Sequence, residues 1–364
     1  MSRARDVAII GGGIVGCVAA ALLAEAGVSV EVFERGEVAG AASGRNSGSI
    51  QHPFDPVLAE LHVETVLLYQ ALEGLDFPDE PAGVMMVGGE RAALAEETSQ
   101  IESLVPELRP ELLEGEELRS AEPMLADGLT ACRIETGYPI RPAAATRAYA
   151  RAAHARGAVF HEDELAWPWV GSGRARGVIA GGVRRPAGAV LVTAGPWTPE
   201  TVDTTGVWRP IAPVWGVVVE LELEDAPRNV LEESDVSSVH SGEPGTLFSL
   251  VAADGLCSLG STFLTSEPVP GDWVERLVER GREFVPAVAG ARVTGTRACA
   301  RPQSFDGRPL VGELPGVDGL WVAAGHGPWG MSTGPATARV AVDAMLGRGE
   351  AVPAELAAGR FGAG

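Results

Sequence analysis

Three glycines and one acid near the start of the chain carry the first recognisable chemistry. Gly11, Gly13 and Gly16 stand in G-x-G-x-x-G spacing directly after the apolar run 7–10. At a strand-to-helix turn this spacing lets Gly11 make the tight turn and Gly13 bring bare backbone up to a diphosphate. Gly16 then packs the helix close against the strand. The helix start offers free N–H groups and the positive end of a dipole to an anion, which adds Ile14 and Val15 to the predicted contacts. Glu34 lies 23 positions after Gly11, at the end of a second apolar run, 28–33. A carboxylate at that place accepts hydrogen bonds from both ribose hydroxyls, and Arg35 follows it.

These residues need elements to position them. The pattern predicts a strand over 7–10, a helix over 14–26 stopped by Gly27, and a strand over 28–33. Strand, turn, helix, strand and terminal acid in that order describe a βαβ unit for a dinucleotide. The unit alone does not choose between nicotinamide and flavin. Residues 40–51, GAASGRNSGSIQ, form a polar, glycine-rich stretch just beyond Glu34. Laid along an extended cofactor, it would offer Ser43, Arg45, Asn46, Ser47, Gly48 and Ser49. Residues 306–338 predict a turn at Asp306-Gly307 and a strand over 319–324. A glycine-rich turn follows, with His326, Gly327, Trp329, Gly330 and Met331. The last predicted element is a helix over 334–346 capped by Ser332 or Thr333. A helix N-terminus aimed at the N1/C2=O edge of a flavin would stabilise its reduced anion, an arrangement nicotinamide does not need. The expected cofactor is therefore FAD.

Composition bounds the remaining choices. The chain has 364 residues, 46% of them hydrophobic, which suits one large or two closely joined globular domains. A formal net charge of −21 opposes binding to phosphate backbones and anionic lipid, so neither nucleic acid nor membrane is an expected partner. Every basic residue is arginine, which removes lysine chemistry altogether. Cys17, Cys132, Cys257 and Cys299 are scattered without CxxC pairs or metal-ligand spacing, so neither a disulfide framework nor a metal site is expected. With no apolar leader ahead of the first strand, a cytoplasmic enzyme is expected.

The N-terminal unit, the SGRNSG loop, Ala194-Gly195-Pro196-Trp197, Arg301-Pro302 followed by Asp306-Gly307, and GHGPWG with GPATA occur in that order. Together they resemble the D-amino-acid oxidase, glycine oxidase and sarcosine oxidase superfamily over nearly the whole chain. The resemblance implies a mixed α/β (α+β) fold. A Rossmann-type FAD-binding domain would be built from 1–80, 139–210 and 297–364. A discontinuous, β-sheet-rich substrate domain from 81–138 and 211–296 would roof the flavin. Helices are expected over 141–156 and 273–284, and roof strands over 217–223, 246–251 and 257–263.

The resemblance also implies the chemistry, oxidation of an amine or amino acid to an imine by hydride transfer to flavin N5. Gly195 and Trp197 join the predicted cofactor contacts. Arg301 occupies the position that binds the substrate carboxylate in relatives, so a carboxylate-bearing small molecule is the expected substrate. His326 in the flavin-edge turn and Gln51 after the loop are the other candidates to face the ring. The chain departs from glycine oxidases at Pro328 and Trp329, where they place a further arginine. The GRNSG loop also resembles that of 2-hydroxyglutarate oxidoreductases, which leaves a 2-hydroxy acid oxidoreductase as the alternative. A non-catalytic flavin-containing assembly factor is the alternative outside enzymology.

Overall fold

The computed structural model describes residues 5–234 and 245–362. Its first sheet runs in the order Leu310–Glu313, Leu320–Ala324, Val183–Val192, Arg5–Ile10, Val30–Phe33, Val159–His161. All neighbours are parallel except the antiparallel edge strand Leu310–Glu313. Side chains of Arg5–Ile10 alternate, as a strand buried on both faces requires. Val7 and Ile9 enter the core under the helices, while Ala8 and Ile10 enter a second core on the opposite face. Val183–Val192 also pairs with the antiparallel strand Arg174–Ala180, which pairs in turn with Ala166–Gly171.

The first helix spans Ile14–Glu25, and Gly27 at φ +80° turns the chain back, so the next strand starts at Val30 rather than at 28. The helix expected over 141–156 starts later, at Ala144, because Pro142 and the left-handed Ala143 precede it.

The second sheet has the order Arg292–Ser304, Ile211–Glu222, Leu256–Thr262, Thr246–Ala253, Val230–Glu233, Val84–Gly88, Thr130–Ile134, Glu111–Glu114. One face packs Val217, Val219, Leu231, Leu250 and Leu259 against Leu277 and Phe284 of the helix Val274–Phe284. The other face turns toward the first sheet. The strand Arg292–Ser304 belongs wholly to this sheet, so residues 297–304 stand in the roof rather than beside the cofactor strands with which the sequence grouped them. Pairing with Ile211–Glu222 across twelve residue pairs places Val214 opposite Arg301 and Gly216 opposite Cys299. All four cysteines are buried and free.

The C-terminal helix differs from expectation in an instructive way. It spans Gly330–Met345, so Ser332 and Thr333 lie inside its first turn and do not cap it. Thr333 Oγ1 instead donates back to the carbonyl of Trp329 at 2.9 Å. Pro335 then sits within the helix, where it supplies no N–H and opens the local ladder. The neighbouring helix Pro56–Gln70 repairs the gap. Tyr69 Oη donates to the carbonyl of Met331 at 2.8 Å, and Thr65 Oγ1 accepts from Ala336 N at 3.2 Å. His62 Nδ1 faces the Ser332 carbonyl at 3.3 Å, which fixes the proton on that nitrogen. The first turn is thereby held open toward the space between the sheets.

Tyr69 is fully buried. Removing its hydroxyl leaves the Met331 carbonyl without a donor, so Tyr69→Phe should cost about 1–3 kcal/mol. A denaturant midpoint unchanged from wild type would show that the Pro335 gap is satisfied in another way.

Candidate functional site

A cleft of about 1250 Å³ runs between the two sheets. Its floor begins at the glycine turn. Gly11 has φ +115°, and a Cβ there would lie 2.5 Å from the Thr193 carbonyl oxygen. A Cβ on Gly16 would come within 2.0 Å of the Gly11 carbonyl oxygen and 2.7 Å of Thr193 Oγ1. No L side chain fits at either place, so the helix Ile14–Glu25 sits tight on its strand with its N-terminus at the cleft. Ser43 Oγ accepts from Ile14 N at 2.9 Å and lies across the open face of Gly13. Glu34 accepts from Gly12 N at 2.7 Å and from Gly36 N at 3.0 Å. Both carboxylate oxygens are thereby oriented, and each retains a lone pair for a ribose hydroxyl. The Arg35 guanidinium stacks 3.5 Å over the Trp197 ring at this end.

The structure gathers most of the sequence-predicted residues in this one space. Gly11, Gly13, Ile14, Val15, Glu34 and Arg35 line it from the βαβ unit, and Ser43, Asn46, Ser47, Ser49 and Gln51 from the loop. Gly195, Trp197, His326, Gly327, Trp329, Gly330 and Met331 line it from the later segments, and Arg301 from the roof. Gly16 and Gly48 act from outside the lining. Gly16 sets packing, and Gly48 at φ +90° bends the loop while its N–H meets Asn46 Oδ1 at 2.8 Å. Arg45 is not among the lining residues: its side chain is exposed, and its carbonyl accepts from Arg297 Nε at 3.1 Å.

Arg297 was not anticipated. From the roof it also donates to the carbonyl of Asn46 at 2.9 Å, clamping the loop against the second sheet. Gln51 makes the companion tie. Its N–H reaches Ser332 Oγ at 3.0 Å, and its Nε2 lies 3.1 Å from each oxygen of Glu232 on the roof strand Val230–Glu233. Glu232 also escaped the sequence reading. No local signal marks it, because Glu233 beside it is also acidic and its partner Gln51 lies 181 positions away.

The substrate end has a sharply defined cation. Arg301 Nη1 donates to the Thr262 carbonyl at 2.8 Å and Nη2 to Ser261 Oγ at 2.6 Å. The guanidinium lies 4.5 Å over the ring of Phe263. A Cβ on Gly216 would fall 2.4 Å from Arg301 Nη2, so the bare backbone at 216 makes room for the group. Among the described residues no carboxylate forms an ion pair with Arg301. Two of its five N–H groups are engaged in the hydrogen bonds above, which leaves donors for an incoming carboxylate.

Burial depresses the His326 imidazole to about 4, and it is neutral at physiological pH. Its Nε2 has no partner among the described residues. A polar atom orphaned in this wall, two helix N-termini and a glycine cradle fit an extended dinucleotide with a ring at the His326 end. Glu34 and the glycine turn would hold its adenosine and diphosphate. Gly327–Met331 would meet the ring edge.

Comparison with known proteins agrees with this geometry. A family model described as FAD dependent oxidoreductase, DAO, matches residues 6–344. The glycine oxidase of Pseudomonas aeruginosa is 29% identical over 358 residues, covering 94% of this chain and 95% of that protein. The glycine oxidase of Bacillus licheniformis is 26% identical, with 95% and 94% covered. Among solved structures, glycine oxidase from Geobacillus kaustophilus superposes with a TM-score of 0.86 at 23% identity, covering 98% of each chain. Iminodiacetate oxidase from Chelativorans superposes with a TM-score of 0.83 at 24% identity, covering 96% of this chain and 98% of that one.

Two outcomes are expected from this arrangement. Glu34→Ala removes a charged acceptor, worth about 1.5–3 kcal/mol, so FAD affinity should fall about 10- to 150-fold. Equilibrium titration of apoprotein with FAD measures it, and unchanged affinity would remove Glu34 from the cradle. Second, His62 and His326 are both depressed to about 4 by burial, with His52 adding to the effect on His62. Their unfolded values lie near 6.5, so between about 4 and 6.5 the unfolded chain binds more protons and stability falls with acidification. His62→Asn should flatten the slope of Tm against pH across that window. An unaltered slope would show that His62 is not buried neutral.

Proposed function

Because the chain belongs to the DAO family of FAD-dependent oxidoreductases, we propose that it oxidises an amino acid, taking the substrate by its carboxylate at Arg301 and its C–N bond to an imine. The observation that carries the proposal is a guanidinium set into the cleft wall with no acid to neutralise it among the described residues. Burial lowers the pKa of Arg301 because the charge is poorly solvated there. A substrate carboxylate supplies the missing countercharge, and the fork geometry accepts it with both oxygens. The named activities of the relatives, on glycine and iminodiacetate, support a carboxylate-bearing amine as the substrate class.

Held by Glu34, the glycine turn and Gly327–Met331, FAD would supply the acceptor for the hydride equivalent from the carbon that bears nitrogen. The protein's own part is orientation and exclusion. Gly216 and Phe263 hold the Arg301 guanidinium in one place, so a bound carboxylate fixes the position of its α-carbon. The first turn of Gly330–Met345, next to the Pro335 gap that Tyr69 and Thr65 fill, would offer its N–H groups to the ring edge. His326 adds no charge at that edge, because it is neutral. The imine released from the site hydrolyses in water to a keto acid or aldehyde.

Removing one partner of a desolvated charged pair typically costs about 2–5 kcal/mol. Arg301→Met should therefore lower kcat/KM for an amino acid about 30-fold or more while FAD content stays at the wild-type level. A decarboxylated amine should lose far less. Equal losses for acid and amine would place Arg301 outside carboxylate binding, and loss of FAD would make it structural.

A further inference from the structure

We infer that Glu232 is the acceptor for the substrate's amino nitrogen, so that Arg301 and Glu232 form the two poles of a pocket for a zwitterion. The inference rests on the proposed carboxylate clamp and extends it to the reacting nitrogen. Its first support is charge. Glu232 lines the same cleft as Arg301, and among the described residues no arginine or histidine pairs with it. Its only described polar partner is the neutral Gln51 side chain. Two opposite charges, each held by neutral groups in one poorly solvated space, are each short of a countercharge that one zwitterion would supply. Burial raises the pKa of Glu232, as expected for a carboxylate without a cation.

Register supplies the second support. The Arg301 guanidinium does not stay over its own strand but reaches the strand Leu256–Thr262, where it bonds Ser261 Oγ and the Thr262 carbonyl. Gly260, next to Ser261, pairs with Ser249, and Ser249 pairs with Glu232. Two strand spacings therefore separate the guanidinium from Glu232, on the order of 10 Å. Ser249, Ser261 and Glu232 all line the cleft. Subtracting a hydrogen bond of about 2.9 Å at each pole leaves a few ångströms, the scale of the separation between carboxylate oxygen and nitrogen in one α-amino acid.

Gln51 gives the pole its fixed position. It grips both carboxylate oxygens while its backbone is tied to Ser332 and its Oε1 accepts from Ser49 Oγ at 3.0 Å. The acid is thus referenced to the same loop and helix that define the ring end of the cleft. A nitrogen held by Glu232 and a carboxylate held by Arg301 leave the α-carbon little freedom between them.

The test uses FAD-loaded protein and two ligands without an α-hydrogen, which cannot be oxidised. They are 2-aminoisobutyrate and 2,2-dimethylpropanoate, identical except that a methyl group replaces the ammonium. Calorimetry on the wild type should find the amino acid bound about 10-fold or more tightly than the plain acid. Glu232→Gln, isosteric but uncharged, should reduce that ratio toward one. Glu232→Asp, which keeps the charge, should retain more of the ratio than Glu232→Gln does. Equal wild-type affinity for the two ligands would overturn the inference. So would a ratio that survives Glu232→Gln, or a Glu232→Asp ratio no larger than that of Glu232→Gln. Arg301→Met reads the underlying proposal separately, because it should weaken both ligands alike. If it weakens neither, the carboxylate clamp fails while the Glu232 comparison still stands on its own.

Discussion

Close approach at Gly11, Gly16 and Thr193 determines where everything else in the cleft can lie. The backbone of Thr193 comes so near the glycine turn that a methyl group on Gly11 would overlap its carbonyl, and one on Gly16 would overlap the turn itself. Thr193 Oγ1 then donates to the carbonyl of Gly11 at 3.0 Å, locking two parallel strands at their carboxyl ends. From that lock the helix Ile14–Glu25 takes its direction, and Glu34 on the neighbouring strand comes within reach of Gly12. The bare backbone at Gly13 gives Ser43 Oγ room to accept from Ile14 N, since a Cβ there would lie 3.1 Å from that oxygen. An open parallel sheet binds its ligand at the carboxyl ends of its strands, and here the bare backbone makes that edge accessible.

Besides Ile211, which packs into the apolar core on one face of the first sheet, the second sheet is joined to the first by a few polar ties. Arg297 holds the carbonyls of Arg45 and Asn46, and Gln51 joins the loop to Glu232 and Ser332. Three roof strands send apolar residues to the core that holds Leu277 and Phe284 and set cleft-lining residues beside them: Val218 between Val217 and Val219, Ser249 between Phe248 and Leu250, and Glu232 beside Leu231. Leu231 and Glu232 show the pattern at its plainest, one in the core and the next in the cleft wall. Such a roof can change its cleft-facing residues without disturbing its own packing.

The cofactor half was largely legible in the sequence because its constraints are local. Glycines at fixed offsets, a strand before and a helix after, and an acid at the end of the next strand are all neighbours along the chain. The flavin-edge helix was found, but its start was placed four residues late. Pro335 disfavours a helix running through it, and the partners that satisfy this turn, Tyr69, Thr65 and His62, are more than 260 positions away. Arg301 was legible only by resemblance. Nothing local marks its pairing with Gly216 or its reach to Ser261, since those contacts arise from strand register. Glu232 and Arg297 were missed for the same reason, as charged residues in apparently ordinary strands. The exposure of Arg45 was not legible, because a polar loop sequence does not reveal which of its side chains turn outward.

Anaerobic bleaching of the bound flavin by matched compounds tests the central claim most directly. A small α-amino acid, the 2-hydroxy acid of the same skeleton and the amine that lacks the carboxylate would each be mixed with FAD-loaded protein. The account predicts that the amino acid bleaches the flavin, and that the hydroxy acid and the amine do so far more slowly. Bleaching by the hydroxy acid at the rate of the amino acid, or by no amino acid across a panel of both configurations, would contradict it.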